Sequence, residues 1–282
     1  MTIYISFNSI SVKNLFFLII LGFSISTSLS AQKGWEAGGW LGASHYFGDL
    51  NTDNEINSAG FAGGAFGRYN FNNRLALKMG GTLANISGSD TNSENTFELQ
   101  RNLSFESIIV DAAAQFEFNF LPYDHGSKKN FFTPYLFAGI NAFYYNPTAI
   151  LDGVEHELRP LGTEGQFIAE EYTTVDGGIV YGAGLKFSLN YLWSIEIELS
   201  SRRLFTDYLD DVSTTYPEVD DLENLRGDIA VLLSDRSGEI LEDPIGVPGF
   251  QRGNSQNNDF YVTFGISLVY YFGDIACPAI SY

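Results

Sequence analysis

The sequence predicts an all-β protein: a transmembrane antiparallel up-and-down β-barrel of about eight strands, with long outer loops and short periplasmic turns. Three observations carry that expectation. Apolar residues alternate with small or polar ones along many segments, several of those segments run past about ten residues, and the connections alternate between long and short. Period two marks a strand with one greasy face. Strands of soluble domains run about five or six residues, whereas strands that span a bilayer need about 9 to 11.

The clearest segment is Ile108 to Phe120. Ile108, Val110, Ala112, Ala114, Phe116, Phe118 and Phe120 share one face, against Ile109, Asp111, Ala113, Gln115, Glu117 and Asn119 on the other. Phe260 to Phe272 repeats the pattern, and similar segments run about Trp35 to Phe47, Phe61 to Tyr69, Arg74 to Ala84, Phe132 to Tyr145, Val175 to Leu189 and Trp193 to Arg203. Phe71 to Asn73 and Asn190 to Tyr191 read as tight turns and Pro122 to Asn130 as a short link. Gly48 to Ser58, Gly88 to Asn102, Asn146 to Glu171 and Thr206 to Asn258 read as longer loops. On this threading Tyr69, Phe71, Phe118, Phe120, Phe132, Phe187, Trp193, Tyr270 and Phe272 gather at the short-turn rim, as an interfacial aromatic girdle does. The inward parity carries Arg74, Lys78, Asp111, Glu117, Lys186, Glu196, Glu198 and Arg202. Both signs are present, and they must pair, because isolated buried charge is too costly. An eight-stranded barrel is just wide enough inside for side chains, so no conductance is expected.

Composition narrows the function. Asp and Glu number 34 against 15 Lys and Arg, a formal charge of -19 that repels nucleic-acid backbones, so nucleic acid is not an expected partner. Cys277 is the single cysteine, which excludes an internal disulfide and a Cys-rich metal site. Lys13 and Asn14 precede the apolar run Leu15 to Ile25, and small residues follow in Ser26 to Ala31. That layout predicts a cleaved signal peptide over 1–31, a barrel domain over 32–282, and a place in the outer membrane of a Gram-negative cell, in contact with its lipid.

Chemistry-bearing constellations are sparse. The histidines are His45, His125 and His156; Ser44 adjoins His45, but strand neighbours point to opposite faces, so the pair does not make a nucleophile and its base. No catalytic residue and no cofactor site is expected. Asp49, Asn51, Asp53 and Glu55 alternate oxygen ligands as the start of a Ca²⁺ loop does, yet Asn54 stands where glycine is needed and Gly60 where the bidentate Glu belongs. A solvated acidic loop is the plainer reading, there and at Asp207, Asp210 and Asp211. His125, Lys128 and Lys129 form a positive cluster on the Pro122 to Asn130 turn of an acidic chain, which makes them the candidate partner-binding residues.

The loops are more distinctive than the strands. They include YFGDLN at Tyr46 to Asn51, NLSF at Asn102 to Phe105, EFNFLPY at Glu117 to Tyr123 and LRPLGTEGQ at Leu158 to Gln166. TDYLDDVSTTY at Thr206 to Tyr216, GFQRGNSQNNDFY at Gly249 to Tyr261 and the closing Cys277 and Pro278 complete the set. Together they resemble the PorG family of type IX secretion system outer-membrane components. The resemblance implies a non-enzymatic barrel that associates with the periplasmic ring of PorK lipoprotein and PorN and helps fix that ring to the outer membrane. A passive transporter, an adhesin acting through the outer loops, and an outer-membrane lipid enzyme are the alternatives.

Overall fold

A computed structural model describes residues 33–52 and 58–273. The expected leader and cleavage site, Asp53, Glu55 and Cys277 lie outside the described residues. Eight long strands make the wall: β1 (Gly34–Phe47), β2 (Gly60–Asn70), β3 (Leu75–Ser89), β4 (Ser104–Asn119), β5 (Phe132–Tyr144), β8 (Val175–Ser188), β9 (Trp193–Leu204) and β10 (Phe260–Tyr271). Each pairs antiparallel with the next wall strand, and β1 closes on β10, so the wall has no free edge along its core. No helix among the described residues is long and apolar enough to cross a membrane. The strands are what can cross.

Alternation decides which face of each strand meets what. Ile108, Phe116, Met79, Leu83, Ile140, Leu199, Phe264, Ile266 and Leu268 point outward and stand exposed, while Asp111, Lys78, Asn141, Ser200 and Thr263 point inward and are buried. An exposed apolar belt around a polar interior inverts the soluble pattern and fits hydrocarbon as the surrounding medium. At one rim the expected girdle is paired ring on ring, Tyr69 with Phe71, Phe118 with Phe120, Phe132 with Phe187, Trp193 with Tyr270 and Tyr270 with Phe272, and Trp35 joins it on Tyr69, at centroid separations of 4.8 to 5.5 Å. The connections at that rim are 71–74, 120–131 and 189–192.

The opposite rim differs from the expectation in three ways. β3 and β4 run on past the belt, with Ser89 still opposite Ser104, because Ile86 and Phe105 keep the inward parity after the outward residues turn polar. The loop expected over Asn146 to Glu171 contains a hairpin, β6 (Pro147–Leu151) and β7 (Val154–Glu157), which adds to β4 through Glu106 and Ser107. Its turn places Asp152 and Gly153 at φ 51° and 79°, left-handed positions that Asp tolerates and Gly prefers. Helix α1 (Thr96–Arg101) lies in the loop between β3 and β4, and α2 (Val219–Arg226) and α3 (Asp228–Ser234) lie in the loop between β9 and β10.

The lumen is filled. Arg68 is its hub: Nη1 lies 2.7 Å from Glu36 Oε2 and 2.5 Å from Glu196 Oε1, Nη2 donates to Glu196 Oε2 at 2.6 Å, and Nε lies 2.9 Å from Glu117 Oε2. Lys186 Nζ donates to Glu117 and Lys78 Nζ to Glu198, each at 2.5 Å. Nearer the long loops Arg202 donates to Thr263 Oγ1 at 2.9 Å and stands 3.4 Å from Asp111, which also accepts from Asn141. Seven of the eight expected lumen charges thus face inward. Arg74 does not: it sits exposed in the 71–74 turn, where Nη1 donates to the Phe120 carbonyl at 2.8 Å. Aromatic side chains take the remaining space. Trp40 lies inside the barrel, and a Cβ at Gly64 or Gly265 would come within 2.7 or 2.5 Å of its indole, so those positions admit only glycine beside that ring.

Candidate functional site at the two ends of the barrel

At the short-turn end the link 120–131 folds back onto the barrel mouth. His125 is buried, stacked on Tyr271 at 4.7 Å, with Nε2 3.0 Å from Glu36 Oε1 in the lumen network. This corrects the expectation that His125 offers its ring to a partner: it is a peg holding the link in place. Gly126, at φ 71°, donates its N–H to Ser188 Oγ at 2.9 Å, and a Cβ there would overlap the Tyr191 ring of the neighbouring turn. Asn130 closes the link by donating Nδ2 to Asp124 Oδ2 at 2.7 Å and N–H to Ser127 Oγ at 3.0 Å. The outcome is an ordered tip that leaves Lys128 and Lys129 exposed, side by side.

At the long-loop end the distinctive loop segments converge. Tyr46 points inward from the end of β1 and donates its hydroxyl to Asp210 Oδ2 at 2.5 Å, with Asp259 Oδ1 at 3.2 Å. Asp259 Oδ2 accepts from Leu209 N at 3.0 Å and Asp49 Oδ2 from Asn254 N at 2.7 Å. Arg101 grips Asp90 with two bonds of 2.7 and 2.8 Å and reaches the carbonyls of Asp49 and Arg252. Arg252 is buried and donates to the carbonyls of Ser234 and Asp211 and to Glu164 Oε1. Glu164 in turn accepts from Ser213 N and from the N–H and hydroxyl of Thr214, while Asp211 accepts from Thr163 and Tyr172. Beneath these polar bonds Tyr46, Leu50, Phe105, Tyr145, Leu158, Leu209, Val212 and Leu233 share one apolar core. The YFGDLN, NLSF, LGTEGQ, TDYLDDVSTTY and GFQRGNSQNND segments are therefore the interlocking parts of one cap over the barrel.

That overturns the picture of Asp207, Asp210 and Asp211 as a solvated loop. All three are buried, Asp207 among them through Oδ2 accepting from Ser213 at 2.7 Å. Asn51 donates its amide to the Tyr46 carbonyl at 2.7 Å and lies 2.9 Å from His45 Nε2. Among the described residues no group of three His, Cys, Asp or Glu side chains is placed to hold a metal ion. Ser44 and His45 point to opposite sides, Ser44 donating to the Asn85 carbonyl.

Burial pushes the cap carboxyls up. Asp207 rises to about 7, and Asp211 to about 6 against the opposing pull of Arg252. Asp210 and Asp259 are raised well above their ordinary value by burial and by neighbouring carboxylates. A carboxyl whose pKa is higher in the folded cap than in the opened one binds more protons when folded, so the cap loses stability as pH rises from about 4 to about 7. Hydrogen exchange across 206–258 is expected to be slower at pH 5 than at pH 8 after correction for intrinsic rates; equal protection would contradict the burial of these groups.

A closed eight-stranded barrel with an apolar belt, an aromatic rim and a packed polar lumen defines a membrane-spanning barrel of the outer-membrane type. The chain belongs to the family described as Domain of unknown function (DUF6089), which matches residues 13–231. Among solved structures it is similar to the N-terminal β-barrel domain of Pseudomonas aeruginosa OprF, at 12% identity over 86% of this chain and 100% of that one, with a TM-score of 0.35. It is also similar to Neisserial surface protein A (9% identity, 85% and 97% covered, TM-score 0.42). Pseudomonas aeruginosa OprG is a third such structure (10% identity, 86% and 97% covered, TM-score 0.41). No curated protein matches the chain.

Proposed function

We propose that this barrel is a non-enzymatic outer-membrane component of the type IX secretion system, anchoring a periplasmic ring of PorK and PorN type. The resemblance of its loop segments to the PorG family suggests the system. What supports an anchoring role most is the short-turn end, where a pegged, ordered link holds Lys128 and Lys129 out on a strongly acidic protein. A packed lumen suits an anchor better than a conduit. In this reading the short turns face the periplasm, the cap faces outward, and the paired lysines meet acidic side chains of the ring.

Such a rim contact acts mainly through charge. Changing Lys128 and Lys129 together to Glu is expected to lower recovery of ring proteins with the tagged barrel from detergent extracts, with the loss largest at low salt. Undiminished recovery would remove these lysines from the contact.

A further inference from the structure

The cap carries a groove that the anchoring role does not use. It has a volume of about 490 Å³ and runs between the 164–167 segment and the stretch from Thr215 through α2. Its apolar lining includes Phe167, Pro217 and Leu225, and Glu218 and Asp221 stand exposed along its edge. The near wall is built to present its aromatic ring. Gly165, at φ 83°, lets the chain pass so close to Pro217 that a Cβ would lie 2.9 Å from the proline Cβ. Ala169 adopts φ 71°, a left-handed conformation costly for a residue with a Cβ, in a turn closed by Glu170 N on the Phe167 carbonyl at 2.9 Å. Phe167 emerges from that turn 67% exposed.

Charge says what fits. Residues 206–258 contain twelve acids against three arginines. Each arginine is engaged: Arg226 with Glu171 at 2.6 Å, Arg236 with Glu239 at 2.8 Å and Arg252 with Glu164 at 3.1 Å. Around the groove the field is negative and the cations are neutralised in place, which repels phosphate-bearing lipid headgroups and attracts Lys and Arg. An apolar trough edged by carboxylates, with a large exposed aromatic in its wall, is complementary to a chain that alternates basic and bulky apolar residues.

We propose that this groove docks an extended basic segment of another protein, seating an apolar side chain against Phe167 and Leu225 and its cations on Glu218 and Asp221.

The probe is a short fluorescein-labelled peptide alternating lysine with phenylalanine and leucine, followed by fluorescence anisotropy on the full-length protein in detergent micelles. Binding is expected to weaken as salt rises, to fall more than about tenfold in Phe167→Ser, as for loss of an aromatic anchor, and to be lost in Glu218→Lys with Asp221→Lys. Both variants lie on the cap surface, and their heat-modifiable gel mobility should match the parent's. Equal affinity across parent and variants, equal binding of a peptide with glutamate in place of lysine, or absence of binding to the parent would each overturn the proposal. So would lipopolysaccharide binding that Phe167→Ser weakens, which would assign the groove to lipid. Recovery of the periplasmic ring depends on the opposite end of the barrel, so neither result bears on the anchoring role.

Discussion

Arg68→Leu is expected to destabilise the barrel by about 3–5 kcal/mol, the range for removing one partner of a buried ion-pair network. Arg68 is fully buried and touches Glu36, Glu117 and Glu196 at once; without it, Lys186 still reaches Glu117, but Glu196 loses both of its bonds from Arg68. The harm comes from carboxylates left buried without their cation, more than from the lost attraction itself. Arg68→Leu combined with Glu196→Gln is therefore expected to recover part of the stability. Arg68→Lys should fall between parent and Arg68→Leu, since lysine keeps the charge but not the forked geometry that spans three carboxylates. The midpoint of urea unfolding, followed by the gel-mobility difference between folded and unfolded barrel, measures all of these. A midpoint unchanged in Arg68→Leu would mean that the lumen tolerates unpaired charge, contrary to the packing described above.

Arg252→Leu is the counterpart for the cap. Its guanidinium joins the carbonyls of Ser234 and Asp211 to the Glu164 carboxylate, tying α3, the Asp211 turn and the 163–166 segment together. None of these groups takes part in pairing among the eight wall strands. The expected loss, about 3–5 kcal/mol for a buried cation with a charged partner, should fall on the cap alone. Limited proteolysis is then expected to cut within 206–258 in the variant and not in the parent, while the wall keeps its parental gel mobility. Concerted loss of wall and cap would show that the two do not open separately.

The wall was legible in the sequence because hydrocarbon outside and polar groups inside impose one unbroken period. Ile108 to Phe120 shows it without interference. The same parity, applied to Trp35 to Phe47 and Phe61 to Tyr69, places Glu36 and Arg68 in the lumen, yet the inward charges read from the sequence omit both. Those two strands are rich in glycine, which blurs the alternation without breaking it. Arg74 escapes the lumen for another reason: it sits one residue before β3 begins, where parity no longer constrains a side chain. The cap was legible only as distinctive composition. Asp210 and Asp259 are 49 residues apart in the chain and meet through Tyr46, and no local pattern encodes that meeting. For His125 the signal misled, because a histidine next to lysines reads as surface charge, whereas Tyr271 and Glu36, which bury it, come from the two ends of the barrel sequence.

Anchoring requires one arrangement: strands crossing the outer membrane with the lysine-bearing link inside and the cap outside. Lys128→Cys and Asn224→Cys, each made with Cys277→Ser, report on it when cells are treated with a membrane-impermeant maleimide. The cysteine at 224 is expected to be labelled on intact cells and the one at 128 only after the outer membrane is permeabilised. Labelling at 128 on intact cells would contradict it.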